Sequence, residues 1–235
     1  MRPIELRHEG VDLTGELLMP ERVERPPAVL VMHTGLGLGA QIRAVSAELA
    51  GLGYAALASD MFGGAGRDDP GKAGEQYGAF LERPEAVRER AVAWLERLAG
   101  LPVIDPTRIA AIGFCFGGWC VLELARSGAD LKAAVSFHGV LNTPAPAPPG
   151  AVRGEVVAWC GGRDPYAPLA DIDALRAEMT AAGANLQLTV FSDVEHGFTD
   201  PEAGALGRPG IAYHELAHRV SWAGTLALLG TVLAP

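Results

Sequence analysis

The feature that most constrains the fold is a regular alternation between short apolar runs and longer runs with helical spacing. The segment PPAVLVMHT (residues 26–34) is a compact apolar run, as expected for a strand covered on both faces. The next segment, AQIRAVSAELAGLG, places Ile42, Val45 and Leu49 at helical spacing before two glycines. The alternation follows a leading hairpin and continues to the end of the chain. It predicts an α/β fold with a mostly parallel sheet of about eight strands and helices on both faces.

Composition and net charge limit the number of domains and the classes of binding partner. The 235 residues are 49% hydrophobic and 20% charged, which predicts a single domain over 1–235. Within it, the Gly-rich polar segment 61–80 predicts a lid-like excursion over the surface. A net charge of -9 argues against a nucleic acid or an anionic membrane as partner. No apolar run reaches transmembrane length, and the first residues lack the apolar core of a signal peptide.

The cysteines indicate a reducing compartment. There are three of them, an odd number, and no two form a CxxC pair. We therefore expect a cytoplasmic protein without a disulfide framework. We expect a monomer or a homodimer.

The segment AAIGFCFGGWC (residues 110–120) places a cysteine between glycines, where a strand turns into a helix. Its core has the form Gly-x-nucleophile-x-Gly, a pattern that requires a strand before it and a helix after it. The helix N-terminus favours the thiolate of Cys115, and the N–H of Phe116 would point at a developing oxyanion. Cys115 is the predicted nucleophile, whereas Cys120 and Cys160 are interpreted as buried structural cysteines.

A cysteine nucleophile needs a base, and the base needs a group that orients it. Asp164 follows a predicted strand in CGGRDPYAP, and His196 follows the last strand in FSDVEHGFTD. Both are therefore predicted at the carboxyl edge of the sheet, in the order acid then histidine that α/β hydrolases use. The alternatives are a turn-forming role for Asp164 and a surface-loop role for His196. His33 and His138 also end strands and would border the site.

The chain resembles the dienelactone hydrolase family of α/β hydrolases. The matching pieces are VMHTGLG, GYAALASDMFG, GFCFGG, GGRDPYAP and HGFTDPEAG, in the family's order over nearly the whole chain. The resemblance implies an α/β-hydrolase fold and a catalytic triad of Cys115, His196 and Asp164. It also implies an oxyanion hole made by the N–H groups of Phe116 and Gly35. Members of the family hydrolyse esters or lactones without a metal or an organic cofactor, so none is expected here.

Two positions depart from the pattern of the family's namesake. Thr34 stands where those enzymes carry a Glu that helps to switch the cysteine into its thiolate form. Asp200 stands where they carry an Arg that holds the substrate carboxylate. Arg67 and Lys72 lie in the segment where a second carboxylate-binding Arg would fall, without a firm alignment. We therefore expect a neutral or differently shaped small ester, thioester or lactone, because an acid at position 200 would repel an anion.

Several side chains are candidates for the pocket wall, although plain core or surface packing is an alternative for each. They are Thr34, Phe62, Tyr77, Phe116, Trp119, His138 and Phe198.

The sequence also contains features of three other functions. The segment HELAH matches the zinc-protease helix with His214 and His218 as ligands and Glu215 as base, but no third ligand is evident. In that predicted helix, His214, His218, Ser221 and Thr225 form a polar stripe, which predicts a solvated face, opposite the apolar stripe of Tyr213, Leu216, Val220 and Ala227.

The other two functions concern ligand binding. GLGLGA (residues 35–40) with Asp60 has the layout of a dinucleotide-binding loop, but that function leaves the predicted triad unexplained. A hydrolase fold kept as a non-catalytic binding module is the third alternative.

Overall fold

The computed structural model describes residues 1–64, 66 and 69–234 and contains an eight-stranded sheet. Its strands are β1 Arg2–His8, β2 Val11–Leu18, β3 Ala28–Met32, β4 Ala55–Ser59, β5 Ile109–Phe114, β6 Ala133–Phe137, β7 Glu155–Gly161 and β8 Leu186–Phe191. The order across the sheet is β1-β2-β4-β3-β5-β6-β7-β8. The pairs β1–β2 and β2–β4 are antiparallel, and the remaining pairs are parallel. The predicted α/β-hydrolase architecture, mostly parallel with a leading hairpin, is confirmed.

Helices cover both faces of the sheet. They are α1 Ala40–Gly51, α2 Pro70–Glu82, α3 Pro84–Ala99, α4 Phe116–Arg126, α5 Leu169–Ala181 and α6 Glu215–Val232, with a short 3-10 turn at Ala203–Leu206. Among the described helices, none is both long and apolar enough to cross a membrane.

Strand β3 shows how the apolar run builds two core layers. Ala28, Leu30 and Met32 face the layer formed with α2 to α5, whereas Val29 and Val31 face the layer formed with α1 and α6. All five residues are fully buried. Because successive side chains on a strand point to opposite faces, a strand covered on both sides must be apolar throughout. The parallel strands end at one edge of the sheet, and the loops that leave this edge carry the candidate site.

The segment 61–80 contains more regular structure than its composition predicts. Helix α2 begins at Pro70, and the Asp69 side chain caps it by accepting a hydrogen bond from the N–H of Lys72 at 3.1 Å. Ala73 and Phe80 are buried against the rest of the core, and Lys72 is exposed. Helix α2 thus lies on the surface and packs on the core through these two side chains. Arg67 lies outside the described residues, and the lid-like movement stays a prediction.

Helix α6 packs with the opposite face from the one that the polar stripe predicts. Ser221 and Thr225 are fully buried, whereas Leu216 and Val220 are exposed. The Thr225 hydroxyl donates to the carbonyl oxygen of Ser221 at 2.9 Å and accepts from the Trp159 indole at 3.1 Å. Small side chains with satisfied hydroxyls let the helix approach the Trp159 ring closely, and this packing outweighs the burial of larger apolar groups.

Helix α4 begins in close backbone contact with the end of β3, and Gly117 makes this contact possible. A Cβ atom at this position would overlap the carbonyl oxygen of Met32. We therefore expect Gly117→Ala to lower the free energy of unfolding by about 1–3 kcal/mol or more, as overpacking against a rigid backbone does. Chemical denaturation with circular dichroism would measure it.

The matched control is Gly230→Ala, at an exposed position of α6 where an added Cβ would meet nothing within 4 Å. In this variant the free energy of unfolding should rise by about 0.5–1 kcal/mol, because alanine has a higher helix propensity than glycine. Equal effects of the two substitutions would contradict the role of the close approach.

Candidate active site

Cys115 occupies a sharp turn between β5 and α4. Its backbone has φ 55° and ψ -114°, a conformation that L-residues rarely adopt and that costs on the order of 1–3 kcal/mol. The flanking glycines permit the turn, because a Cβ at Gly113 would overlap the carbonyl oxygen of Gly117. A Cβ at Gly118 would lie 2.6 Å from both the Cα of Gly139 and the hydroxyl of Ser136. The turn holds Cys115 at the start of α4, at the active edge of the sheet.

Asp164 and His196 come from the loops after β7 and β8. His196 Nδ1 donates a hydrogen bond to Asp164 Oδ2 at 2.8 Å, and both residues are 4% exposed. Asp164 Oδ1 accepts a second hydrogen bond from the N–H of Tyr166 at 2.8 Å. The backbone of His196 is fixed by hydrogen bonds to Gly210 and Ala212. Asp164 therefore fixes both the tautomer and the orientation of the imidazole.

Cys115 and His196 shift each other's ionisation in opposite directions. Burial by itself raises the pKa of the Cys115 thiol, but the positive charge and hydrogen bond of His196 outweigh burial and lower this pKa below its usual value. Burial by itself lowers the pKa of His196, but the Cys115 thiolate and the Asp164 carboxylate raise it to about 10. The arrangement therefore favours a thiolate beside an imidazolium near neutral pH.

Two backbone N–H groups face the sulfur. Hydrogen bonding from the backbone of Gly35 and of Phe116 contributes to the lowered pKa of Cys115. Phe116 is the first residue of α4, and Gly35 follows β3 in a tight turn in which the N–H of Gly37 donates to the carbonyl oxygen of Thr34 at 3.0 Å. The two N–H groups predicted for an oxyanion hole thus both lie within hydrogen-bonding reach of the candidate nucleophile.

A cavity of about 200 Å³ opens onto this group, and both Cys115 and His196 line it. Of the predicted wall residues, Thr34, Tyr77 and His138 also line it. Four others do not line it and instead form the layer behind the wall: Phe62, Phe116, Trp119 and Phe198. Phe62 and Trp119 pack against the ring of Phe116, and Phe198 packs edge-on against His138 at 5.0 Å. Their prediction as wall residues is therefore wrong, because their rings complete the core beneath the cavity.

Several cavity residues have no role assigned from sequence alone, among them Leu36, Gln41, Tyr166 and Arg208. Tyr166 lies two positions after Asp164, and its ring lies 4.8 Å from that of His196. Asp200, predicted from the family pattern, also lines the cavity. Arg208 comes from a loop far along the chain, and no motif signals it.

His138 supports the ring of His196 as a neutral group. It is buried, and the two ring centroids lie 5.0 Å apart. Its Nε2 is hydrogen-bonded to the hydroxyl of Thr199 at 2.8 Å. Burial and the positive charge of His196 lower the pKa of His138 well below its usual value. His138 therefore adds no competing charge beside His196.

The segment HELAH does not form a pair of metal ligands on one helix. His214 precedes α6 and caps it, its Nδ1 accepting a hydrogen bond from the N–H of Ala217 at 3.2 Å. His218 Nδ1 lies 3.3 Å from the hydroxyl of Tyr213. Among the residues that the structure describes, no three His, Cys, Asp or Glu side chains are grouped as a metal site requires.

Asp60, the acidic residue of the dinucleotide-binding layout, is engaged with the backbone. Its carboxylate accepts hydrogen bonds from the N–H groups of Thr14, Phe62 and Gly64 at 3.3, 2.8 and 2.8 Å. These bonds stabilise the loop after β4, and they use the oxygens that a ribose hydroxyl would need.

The fold and the site define an α/β hydrolase. Residues 13–233 match the model of the dienelactone hydrolase family, and the chain belongs to that family. The solved structure of m3DLH is 38% identical, with a TM-score of 0.91 over 98% of this chain and 97% of that one. A dienelactone hydrolase-like promiscuous phosphotriesterase, P91 from metagenomic libraries, is 32% identical, with the same TM-score and coverage. An uncharacterized protein of Caenorhabditis elegans is 31% identical over 65% of this chain and 98% of its own length.

The lowered pKa of Cys115 predicts how its alkylation should depend on pH. Iodoacetamide reacts with thiolates, so its reaction with Cys115 should persist below the pH at which a free cysteine is protonated. Cys120 and Cys160 should stay unmodified in the folded protein, because burial raises the pKa of both thiols. Mass spectrometry across a pH series measures each site.

His196→Gln is the matched variant, because it removes the positive charge beside the sulfur. The apparent pKa of Cys115 should rise in this variant. A wild-type pH profile equal to that of free cysteine would contradict the ion pair.

Proposed function

We propose that this carboxylic ester hydrolase of the dienelactone hydrolase family cleaves a small ester or lactone through a thioester on Cys115. The observation that carries the proposal is the position of Cys115 on a strained turn, beside His196 and within hydrogen-bonding reach of the N–H groups of Gly35 and Phe116. His196 is the proposed base and acid, and Asp164 orients it.

The first half-reaction transfers the acyl group to sulfur. The Cys115 thiolate attacks the carbonyl carbon, and the carbonyl electron pair moves onto oxygen, where the N–H groups of Gly35 and Phe116 stabilise the negative charge. Collapse of this intermediate breaks the bond to the alkoxide. The His196 imidazolium gives its proton to that oxygen, so an alcohol leaves and a thioester remains.

The second half-reaction releases the acid. Neutral His196 takes a proton from water, and the resulting hydroxide attacks the thioester carbonyl. The same two N–H groups stabilise the second oxyanion. Collapse expels the thiolate, which regains its imidazolium partner, and the product leaves as a carboxylic acid. In a lactone the alcohol and the acid belong to one molecule.

Because residue 34 is a threonine, no carboxyl group at this position interacts with the Cys115 thiolate. Its hydroxyl accepts a hydrogen bond from the N–H of Leu36 at 3.2 Å and shapes the turn. The namesake enzymes carry a glutamate here that takes part in forming the thiolate. With a threonine, Cys115 pairs with His196 before substrate binds, so no activating switch is needed.

The cavity favours a small and uncharged substrate. Its volume is about 200 Å³, and the described residues of its wall include the carboxylate of Asp200 and the guanidinium of Arg208. Asp200 is only 9% exposed, whereas Arg208 is exposed and more strongly screened by water. A negatively charged acyl group is therefore disfavoured beside Asp200.

The unpaired state of the cysteines bears on the cellular compartment. All three cysteines are unpaired, which supports a reducing compartment, and we propose the cytoplasm. A free thiolate nucleophile keeps its activity only where oxidants are scarce.

Hydrolysis of p-nitrophenyl acetate tests the nucleophile. We expect Cys115→Ala to lower kcat/KM by about 10³-fold or more, as the loss of a nucleophile does in other hydrolases. Cys120→Ala, one turn further along α4, is the matched control and should keep its activity. A chelator should have no effect on the wild type.

The other outcomes of this assay distinguish the alternatives. Activity that survives in Cys115→Ala but falls with chelator would move the chemistry to a metal at His214 and His218. A wild type without activity towards any p-nitrophenyl ester would support a binding module.

A pair of esters of similar size tests the substrate charge. We expect a higher kcat/KM for p-nitrophenyl butyrate than for mono-p-nitrophenyl succinate, whose acyl chain ends in a carboxylate. Asp200→Asn should shift this ratio towards the succinate ester by about threefold to tenfold, for a charge interaction of roughly 1 kcal/mol. Arg208→Gln should shift it the other way. A ratio unaffected by Asp200→Asn would contradict the assigned role of this carboxylate.

A further inference from the structure

We infer that His33 is a positioning residue that aims the N–H of Gly35 at the reacting oxygen. The inference rests on the proposed function, because it concerns the oxyanion hole of that reaction. It assigns a function to a buried histidine that does not line the cavity.

Both ring nitrogens of His33 are used, and their partners fix the tautomer. The N–H of Met61 donates to Nε2 at 2.9 Å, and an amide N–H can only donate. Nε2 is therefore unprotonated, and the single ring proton is on Nδ1. Nδ1 lies 2.6 Å from the carbonyl oxygen of Thr34, so Nδ1–H donates a short hydrogen bond to that oxygen.

The carbonyl that His33 holds belongs to the same peptide unit as the N–H of Gly35. This peptide is trans, so its C=O and N–H bonds lie in one plane and point in opposite directions. Fixing the Thr34 oxygen on the side of His33 therefore fixes the Gly35 N–H on the other side, where Cys115 lies. Hydrogen bonding to the carbonyl also polarises the amide and strengthens the N–H as a donor.

The other side of the His33 ring is anchored to a rigid segment. The carbonyl oxygen of Met61 accepts from Arg90 Nη1 at 2.8 Å, and that of Asp60 accepts from the Trp94 indole at 2.8 Å. The Phe62 ring packs edge-on against His33 at 4.6 Å between centroids. The imidazole thus connects the turn that carries Gly35 to a buried segment after β4, which gives the N–H a fixed direction.

The neutral form of His33 is required for this connection. A second proton would reside on Nε2 and face the N–H of Met61. Burial is the largest influence on this group, and it lowers the pKa of His33 below its usual value. His33 thus stays neutral at the pH where the thiolate reacts.

Two substitutions separate the hydrogen bonds of His33. The amide of Asn reaches the position of Nδ1, so His33→Asn keeps a donor for Thr34 and loses the acceptor for Met61. The longer Gln reaches the position of Nε2, so His33→Gln keeps an acceptor for Met61 and loses the donor for Thr34. A histidine that only fills the core would not make the two variants differ in this direction.

The test measures kcat and KM for p-nitrophenyl butyrate, together with inhibition by butanal. The Cys115 thiol adds to the butanal carbonyl to form a thiohemiacetal, whose oxygen occupies the oxyanion hole. We expect kcat to decrease in the order wild type, His33→Asn, His33→Gln, with a loss of about 10- to 100-fold in His33→Gln and little change in KM. This loss lies below the roughly 10²–10³ that removal of a whole oxyanion donor costs. The inhibition constant of butanal should rise in the same order.

Equal losses in the two variants, or a larger loss in His33→Asn, would overturn the inference. The inference would also be overturned if the losses in kcat correlated with the melting temperatures of the variants and not with whether the variant keeps a hydrogen-bond donor for Thr34. If His33→Gln does not fold, His33→Asn decides alone: a fall in kcat of less than fivefold supports the inference, and a fall of 100-fold overturns it. A wild type that neither hydrolyses the ester nor reacts with iodoacetamide at Cys115 would instead refute the proposed function.

Discussion

The close contact between the start of α4 and the ends of β3 and β6 is the constraint on which the rest of the site depends. Gly113, Gly117 and Gly118 allow backbones to meet where any side chain would collide. The contact holds Cys115 in a strained conformation with positive φ and places its sulfur at the first free N–H of the helix. Packing in the core thus maintains the strain that presents Cys115, the proposed nucleophile.

The electrostatics of the site follow from that geometry. A buried thiol would ordinarily keep its proton, and a buried imidazole would ordinarily lose its own. Each becomes charged because the other is within reach, and Asp164 and the backbone N–H groups stabilise the pair. The cost of burying one charge is therefore offset by the second, so the pair forms or is lost as a unit.

The elements that depend on local pattern could be predicted from sequence. The Gly-x-Cys-x-Gly turn between a strand and a helix marked Cys115, and the loops after the last two strands marked Asp164 and His196; the structure brings these three together. The buried face of α6 could not be predicted. Its small hydroxyl side chains are buried because they pack against and bond to the Trp159 ring, which comes from a strand distant in the sequence. Arg208 reaches the cavity from a loop and Gln41 from the first turn of α1, far apart in the chain. The role of His33 depends on a contact 28 residues away.

The most direct test of the central claim is to trap the acyl-enzyme. The wild type would be mixed with p-nitrophenyl butyrate, quenched with acid within the first turnover and digested for mass spectrometry. The account predicts a butyryl group on the peptide that carries Cys115, removed by hydroxylamine as a thioester is. Continued release of p-nitrophenol with the butyryl group on another residue, or on none, would contradict it.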